Sequence, residues 1–399
     1  MVSPFMADAE KVAAVRAALP SLAAGIQLDS ATAGPLPAEV AAAMDQLQGY
    51  ERDIGRADAG HREEQLQRNE EARAAIAAVL GGGLGAVTPT HGATEGLTLA
   101  AEAIPLRTRD IATGPLRAIT TSDASGAIRR ALDTWSARLA AAGRPTEVLD
   151  LEGDRDDARL LDRLDGALDE RAVLVAVAHV SPTTGRVLPL RAISELAEAR
   201  GAAVIADGSQ AAGAIPLLVE DLAVDAYAVD GHRWLLGPEG VGGLWQRERP
   251  PATAAIDRLH PPSVVGLARA IGWLSMFVGL EFVHRRGTAM AATLAERLAS
   301  IDGVELITPI ASMATIVTFR IAGWEPEAAL DELAHRMFLI GRGVRTSGVR
   351  PGPDAVRLSP GCWTTSDEIE RVAESVRLLA GHTPESLPPR RTLAMLGAP

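Results

Sequence analysis

Asp225-Ala226-Tyr227-Ala228-Val229-Asp230-Gly231-His232-Arg233-Trp234-Leu235-Leu236-Gly237-Pro238-Glu239-Gly240-Val241-Gly242-Gly243-Leu244-Trp245 is the stretch around which the rest of the chain is organised. A strand-like run enters a polar corner at Asp230, His232 and Arg233, a Gly-Pro turn follows, and a glycine-rich strand leaves. A bend of this kind presents a few side chains at one place, as an active site requires. The same strand-then-corner pattern recurs upstream. Residues 173–180 are a buried-strand run ending in His179-Val180-Ser181-Pro182, and residues 202–213 lead through Ala-Val-Ile-Ala to Asp207-Gly208-Ser209-Gln210. Residues 87–97 carry His91-Gly92-Ala93-Thr94 between a strand and a helix. Strand and helix alternate from Val87 to Trp245, which predicts an α/β fold with a mostly parallel central sheet and a ligand crevice at the carboxyl ends of its strands.

The chain has 399 residues, 47% of them hydrophobic, enough for a large domain and a smaller one. The expected division is an N-terminal helical segment over residues 1–30, packing with the small domain, and a large α/β domain over 31–255. A small α+β domain over 256–382 and a Pro-rich tail over 383–399 follow. Helical spacing covers residues 7–24, 263–283, 288–301 and 366–379, and residues 314–320 read as a strand. The charged stretch 51–73 reads as helix and loop with a solvated face, and His61 within it as a weak functional candidate. The net charge of -12 is spread along amphipathic helices, which argues against nucleic acid as a partner. A lone cysteine, Cys362, excludes an internal disulfide and a cysteine-cluster metal site, so no metal is expected. No signal-peptide pattern and no long apolar run stands out, so no membrane partner and a cytoplasmic location are expected. Lysine occurs once, at Lys11.

The quoted stretch closely resembles the signature of the class V aminotransferase family of pyridoxal-phosphate (PLP) enzymes, which includes cysteine desulfurases, selenocysteine lyases and isopenicillin-N epimerase-like proteins. The resemblance covers residues 28–379 and implies the PLP-dependent transferase (aspartate aminotransferase-like, type I) fold, with a homodimer whose sites lie near the interface. In the family, the residue after the histidine is the lysine that holds PLP as a Schiff base. Here it is Arg233. A guanidinium stays protonated and offers no neutral amine to an aldehyde, so an internal aldimine at that position is excluded.

Other positions match the family. Ser30 and Ala31 fall in its opening motif beside the substrate pocket, and Gly92, Ala93 and Thr94 fall in its phosphate loop at a helix N-terminus. By the same resemblance, Asp207 is the carboxylate that keeps the pyridine nitrogen protonated and Gln210 the contact to the ring hydroxyl. His232 is retained, and Arg357, in Arg357-Leu358-Ser359-Pro360, is the fork for the substrate carboxylate. Structural readings stand beside these: Asp207 as a helix cap, Arg357 as a strand-end surface arginine. Several positions depart from the pattern. Ser125 stands where relatives stack an aromatic ring, Pro182 where they place an asparagine, and Asp230 where a serine donates to the phosphate. Asp257-Arg258 replaces a cross-subunit Gly-Thr contact.

The leading expectation is an enzyme of this fold acting without a PLP aldimine on a small carboxylate-bearing, amino-acid-derived substrate. Arg357 binds the carboxylate, His232, Asp230, Asp207 and His179 supply acid, base and electrostatic roles, and Arg233 stabilises an anion. Elimination, cyclisation, epimerisation and hydrolysis all suit such a site. A second expectation keeps PLP or pyridoxamine phosphate bound non-covalently. A third is a catalytically silent homologue that serves as a protein partner.

Overall fold

Residues 6–56, 59–83, 86–104, 114–152, 156–248, 259–336, 338–339 and 354–388 are described by the structure, a computed structural model. Asp257-Arg258 and tail residues 389–399 lie outside them. The chain begins with α1 (Asp8–Ala17), β1 (Ile26–Gln27), α2 (Ala38–Ile54), α3 (Ala59–Leu80), β2 (Val87–Thr90) and α4 (Ala93–Ala103). It continues with β3 (Leu116–Thr121), α5 (Gly126–Ala141), β4 (Thr146–Leu151), α6 (Asp157–Ala167), β5 (Ala172–Ala178) and α7 (Leu190–Arg200). Then come β6 (Ala203–Asp207), β7 (Ala226–Asp230), β8 (Gly242–Gln246), α8 (Pro261–Gly272) and α9 (Leu280–Ala299). The last elements are β9 (Val304–Leu306), β10 (Val317–Ile321), α10 (Pro326–Ala334), β11 (Phe338–Leu339), β12 (Val356–Leu358) and α11 (Ser366–Ala380).

The main sheet has the order β2-β8-β7-β6-β5-β3-β4. Pairs from β7 through β6, β5 and β3 to β4 are parallel, and only the two pairings of β8 are antiparallel. The central strands are runs of Ala, Val and Ile because helices cover both faces and leave no wet side to be polar. On one face Val175 and Val229 pack with Leu160, Leu164 and Ile193 of α6 and α7. On the other, Ile205 and Ala228 pack with Leu97 of α4 and Ile128 and Leu132 of α5. β2 runs in the same direction as β7, so the N-terminus of α4 opens on the side where the parallel strands end.

A smaller antiparallel sheet, β12-β10-β9, packs with α9, α10 and α11 around Leu294, Leu298, Phe319, Val372 and Val376. The N-terminal segment joins this second body: Ile26 pairs with Phe338, and Asp29 bridges to Ser359. α11 is started by a capping box in which Thr365 Oγ1 accepts from Glu368 N at 3.3 Å and the Glu368 carboxylate accepts from Thr365 N at 2.9 Å. Glu368 also pairs with Arg16 at 2.9 Å, which ties α1 to the same end.

Three local expectations change. The helix expected over 7–24 stops at Ala17, because Leu19 precedes Pro20 and a residue before proline is pushed out of the helical region; a short 3₁₀ turn, Pro20–Ala23, follows. The helices expected over 263–283 and 288–301 divide instead at Gly279. α8 passes into a π turn over Trp273–Val278, Gly279 takes φ +89°, and α9 restarts at Leu280. His61 is not on a solvated face: it is buried, with Nε2 3.3 Å from a carboxylate oxygen of Glu51. The segment Pro261–Val278 has the length and apolarity to cross a bilayer, but 56% of it is buried inside the protein, as in the core helix of a globular domain.

Candidate active site

Parallel strands of the main sheet deliver polar residues to one place at their carboxyl ends. Ser125 follows β3, Asp207 ends β6 and Asp230 ends β7, while α4 begins opposite them. Asp207 is buried and accepts hydrogen bonds from the Ser125 hydroxyl and, at 2.9 Å, from the Ser209 amide. Burial raises its pKa above the usual carboxylate value, and the neighbouring charge of Asp230 pushes the same way. Asp230 goes the other way. Burial would raise it, but the Arg233 guanidinium and the Ala93 amide together hold it below its ordinary value. Its Oδ1 accepts from Ala93 N at 2.9 Å and its Oδ2 from Arg233 Nε at 3.0 Å. Two adjacent carboxyl groups drawn in opposite directions are the pattern of an acid paired with an ion.

Residues 29–34 close the crevice as a strap between the two bodies. The Ala31 carbonyl accepts from Arg233 Nη1 and, at 2.8 Å, from Gln210 Nε2. Gln210 Oε1 in turn accepts from Trp234 Nε1 at 2.8 Å. The Gly34 amide donates to the His232 carbonyl at 2.8 Å, and the Ala31 amide to Ser359 Oγ at 3.0 Å. Arg357 reaches into the strap from β12: Nη1 donates to the Pro182 carbonyl at 2.8 Å and Nη2 to Thr32 Oγ1 at 2.9 Å, with Asp29 at 3.8 Å. Burial lowers the Arg357 pKa, Asp29 opposes this, and Arg233 adds to it, which places both guanidinium groups in one electrostatic neighbourhood. Beyond Arg233 and Trp234 the turn is strained: Leu236 is held at φ +55°, a left-handed value unusual for leucine.

The remaining candidates are placed as follows. His232 is partly buried, and burial lowers its pKa against the opposing pull of Asp230. His179 sits in the interior, Nδ1 2.8 Å from the Tyr227 hydroxyl and the two rings edge-on, and burial takes its pKa down to about 4. Ser30 and Ala31 are fully buried, so the strap offers the crevice its backbone and Thr32. Thr94 is partly buried in the first turn of α4. Gly92 holds φ +139°, and a Cβ there would lie 2.8 Å from Asp230 Oδ1, so glycine is required. Lys11 is buried on α1 with its ammonium 4.8 Å above the Phe282 ring of α9.

Thr32, Ser209 and Tyr227 escaped the sequence reading. Thr32 stood in plain view two residues after Ser30, but only the fold reveals Arg357 as its partner. Tyr227 carried one signal, a polar tip in the interior of an apolar strand, where buried phenols find partners.

Residues 26–255 and 259–372 match the aminotransferase class-V family. A probable cysteine desulfurase of Mycolicibacterium paratuberculosis is 31% identical over 258 residues, 56% of this chain and 37% of that protein. Isopenicillin N epimerase of Amycolatopsis lactamdurans is 30% identical over 248 residues, 54% of this chain and 62% of that protein. The chain thus spans less than two thirds of the length of both relatives. Among solved structures, the apo cysteine desulfurase of Thermococcus onnurineus NA1 superposes with a TM-score of 0.77 at 21% identity, covering 96% of this chain and 100% of that one. That likeness, with the mostly parallel sheet and the smaller second body, identifies the type I PLP-transferase fold. By fold and by the extent of the family match, the chain belongs to the aminotransferase class-V family.

Proposed function

We propose that this chain uses the class V crevice for acid–base chemistry on a small, carboxylate-bearing, amino-acid-derived substrate, without a PLP aldimine. The observation that carries the reading is the state of Arg233. Where the resemblance places the Schiff-base lysine, a guanidinium is bonded to Asp230 and to the Ala31 carbonyl and offers no neutral amine. Lys11, the chain's one lysine, is packed against Phe282. Both polar atoms of the Gln210 amide are engaged within the protein, and a carboxylate stands on the N-terminus of α4. These residues do not fit covalently held PLP.

In this reading Arg357 receives the substrate carboxylate. Its close partners are a carbonyl and a hydroxyl, with Asp29 a looser ion-pair partner at 3.8 Å, so a substrate carboxylate would take the planar fork by exchanging with the Pro182 carbonyl and the Thr32 hydroxyl. Asp207, whose pKa burial raises, is the acid of this reading, and His232, whose pKa burial lowers, is its base. Taking and returning a proton at neighbouring points suits elimination or epimerisation. The pair Arg233–Asp230 fixes a positive edge toward a developing anion. The small-molecule carboxylate and a second copy of the chain are the partners. Asp207 at the end of β6 also favours a second reading, in which PLP or pyridoxamine phosphate is held non-covalently.

The test is to incubate wild type and Arg233→Lys with excess PLP, dialyse, and record absorbance between about 330 and 430 nm, where the cofactor absorbs, then to reduce a portion with borohydride and record its mass for a covalent adduct. No retained chromophore in wild type and little gain in the variant are expected. Retention by wild type moves the case to the second reading. A variant that turns yellow at once refutes the proposal, because the crevice would then lack only its amine.

A further inference from the structure

The start of a helix is an anion cradle by construction, with unpaired N–H groups and the positive end of the macrodipole directed at whatever stands before it. In α4 the protein itself fills the cradle. Asp230 Oδ1 accepts from the Ala93 amide at 2.9 Å, and the missing Cβ of Gly92 leaves the room that this oxygen occupies, 2.8 Å from where a methyl would be. Asp230 Oδ2 takes the Arg233 guanidinium at 3.0 Å, and the Asp230 amide donates to Ser209 Oγ at 3.1 Å, which fixes the backbone beneath. Helix end, arginine and glycine together form an anion receptor, and its anion is covalently part of the chain.

We infer that Asp230 determines the specificity of this end of the crevice: it is a built-in anion that occupies the α4 cradle and denies it to phosphate groups. One amide hydrogen cannot serve two anions, and a phosphate brought to the carboxylate's position would meet like charge at contact distance. Ligands that carry a single carboxylate are then admitted at Arg357, while phosphate monoesters lose the site that would anchor them. The inference rests on the proposed function only for taking this crevice as the active site.

Titration calorimetry with inorganic phosphate at low ionic strength tests it on the full chain. Wild type should show at most the weak binding that Arg357 offers any small anion. Asp230→Ser should bind at least about tenfold more tightly than wild type, and Asp230→Ser with Arg233→Ala should lose the gain. Asp230→Asn keeps the side-chain shape without its charge and serves as the folded control, with a smaller gain expected. Wild type binding phosphate as tightly as Asp230→Ser, or no gain in variants that melt like wild type, overturns the inference. Phosphate has neither ring nor aldehyde, so a gain that follows Asp230 and Arg233 reports on the cradle and not on cofactor chemistry. Failure of the variants to gain phosphate, with PLP still rejected by wild type, sinks this inference and leaves the proposed function. PLP retained by a wild type that binds no phosphate sinks the proposed function alone, since the cofactor would then be held outside the cradle.

Discussion

Acid should weaken the fold through His179, by an amount its surroundings set. The imidazole is buried against Tyr227 with no carboxylate among its hydrogen-bond partners, and its pKa falls from 6.5 to about 4. Between those values the unfolded chain binds a proton that the folded chain refuses. The stabilisation is therefore complete above about pH 6.5 and is lost as pH falls toward about 4. Taken with the two pKa values, the loss is roughly 2 kcal/mol at about pH 5 and roughly 3 kcal/mol at about pH 4. The assay is urea unfolding of wild type and His179→Gln at steps between about pH 7.5 and 4.5. Glutamine can meet the Tyr227 hydroxyl but does not titrate. His284, also lowered to about 4 by burial, and the shifted carboxyl groups act in both proteins and cancel in the difference. Wild type should lose roughly 2 kcal/mol more than the variant by about pH 5. Parallel stability curves would refute the reasoning, since His179 would then take its proton in the folded state without penalty.

Other substitutions check other joints of the structure. Gly92→Ala places a methyl 2.8 Å from Asp230 Oδ1 at φ +139°. It should cost roughly 1–3 kcal/mol in chemical denaturation, and an unchanged midpoint would contradict the close approach of Asp230 to α4. Thr365→Ala removes the capping box of α11 and should cost roughly 1 kcal/mol; a Thr365→Ser variant should recover most of it. Arg357→Lys keeps the charge but loses the fork to Pro182 and Thr32. Thermal-shift titration with small monocarboxylates should show affinity falling about tenfold, and an unaltered affinity would remove Arg357 from the receptor role.

The main sheet was legible because each buried strand is a run of apolar residues stopped by a polar one. The stops at Asp207 and Asp230 fall at the strand ends that line the crevice. Partnerships were less legible. Asp230 meets Ala93 across 137 residues of chain, and no local pattern encodes that contact. Gln210 looked like a ligand contact, yet its amide is spent between Ala31 and Trp234. Pro182 looked like a loss, but its carbonyl serves Arg357, a role any backbone could fill and no side-chain motif records. Nor does periodicity say how deep a strand end lies, which is what sets His179 against Tyr227 in the interior. The division of the C-terminal helices at Gly279 was missed because the apolar spacing continues through the glycine.

The strap over residues 29–34 has a mechanical meaning. It is bonded to the smaller body through Ser359 and Arg357 and to the larger through His232, Gln210 and Arg233. A hinge rotation between the bodies would load this short tether together with the bonds that join residues 183–187 to residues 308–318. The Ala31 carbonyl is the tether's point of attachment to Arg233, while Thr32, the next residue, is attached to Arg357. A carboxylate arriving at Arg357 would compete with the Thr32 hydroxyl, one peptide unit from the carbonyl that Arg233 holds, so the tether would loosen beside the very bond that ties it to the larger body.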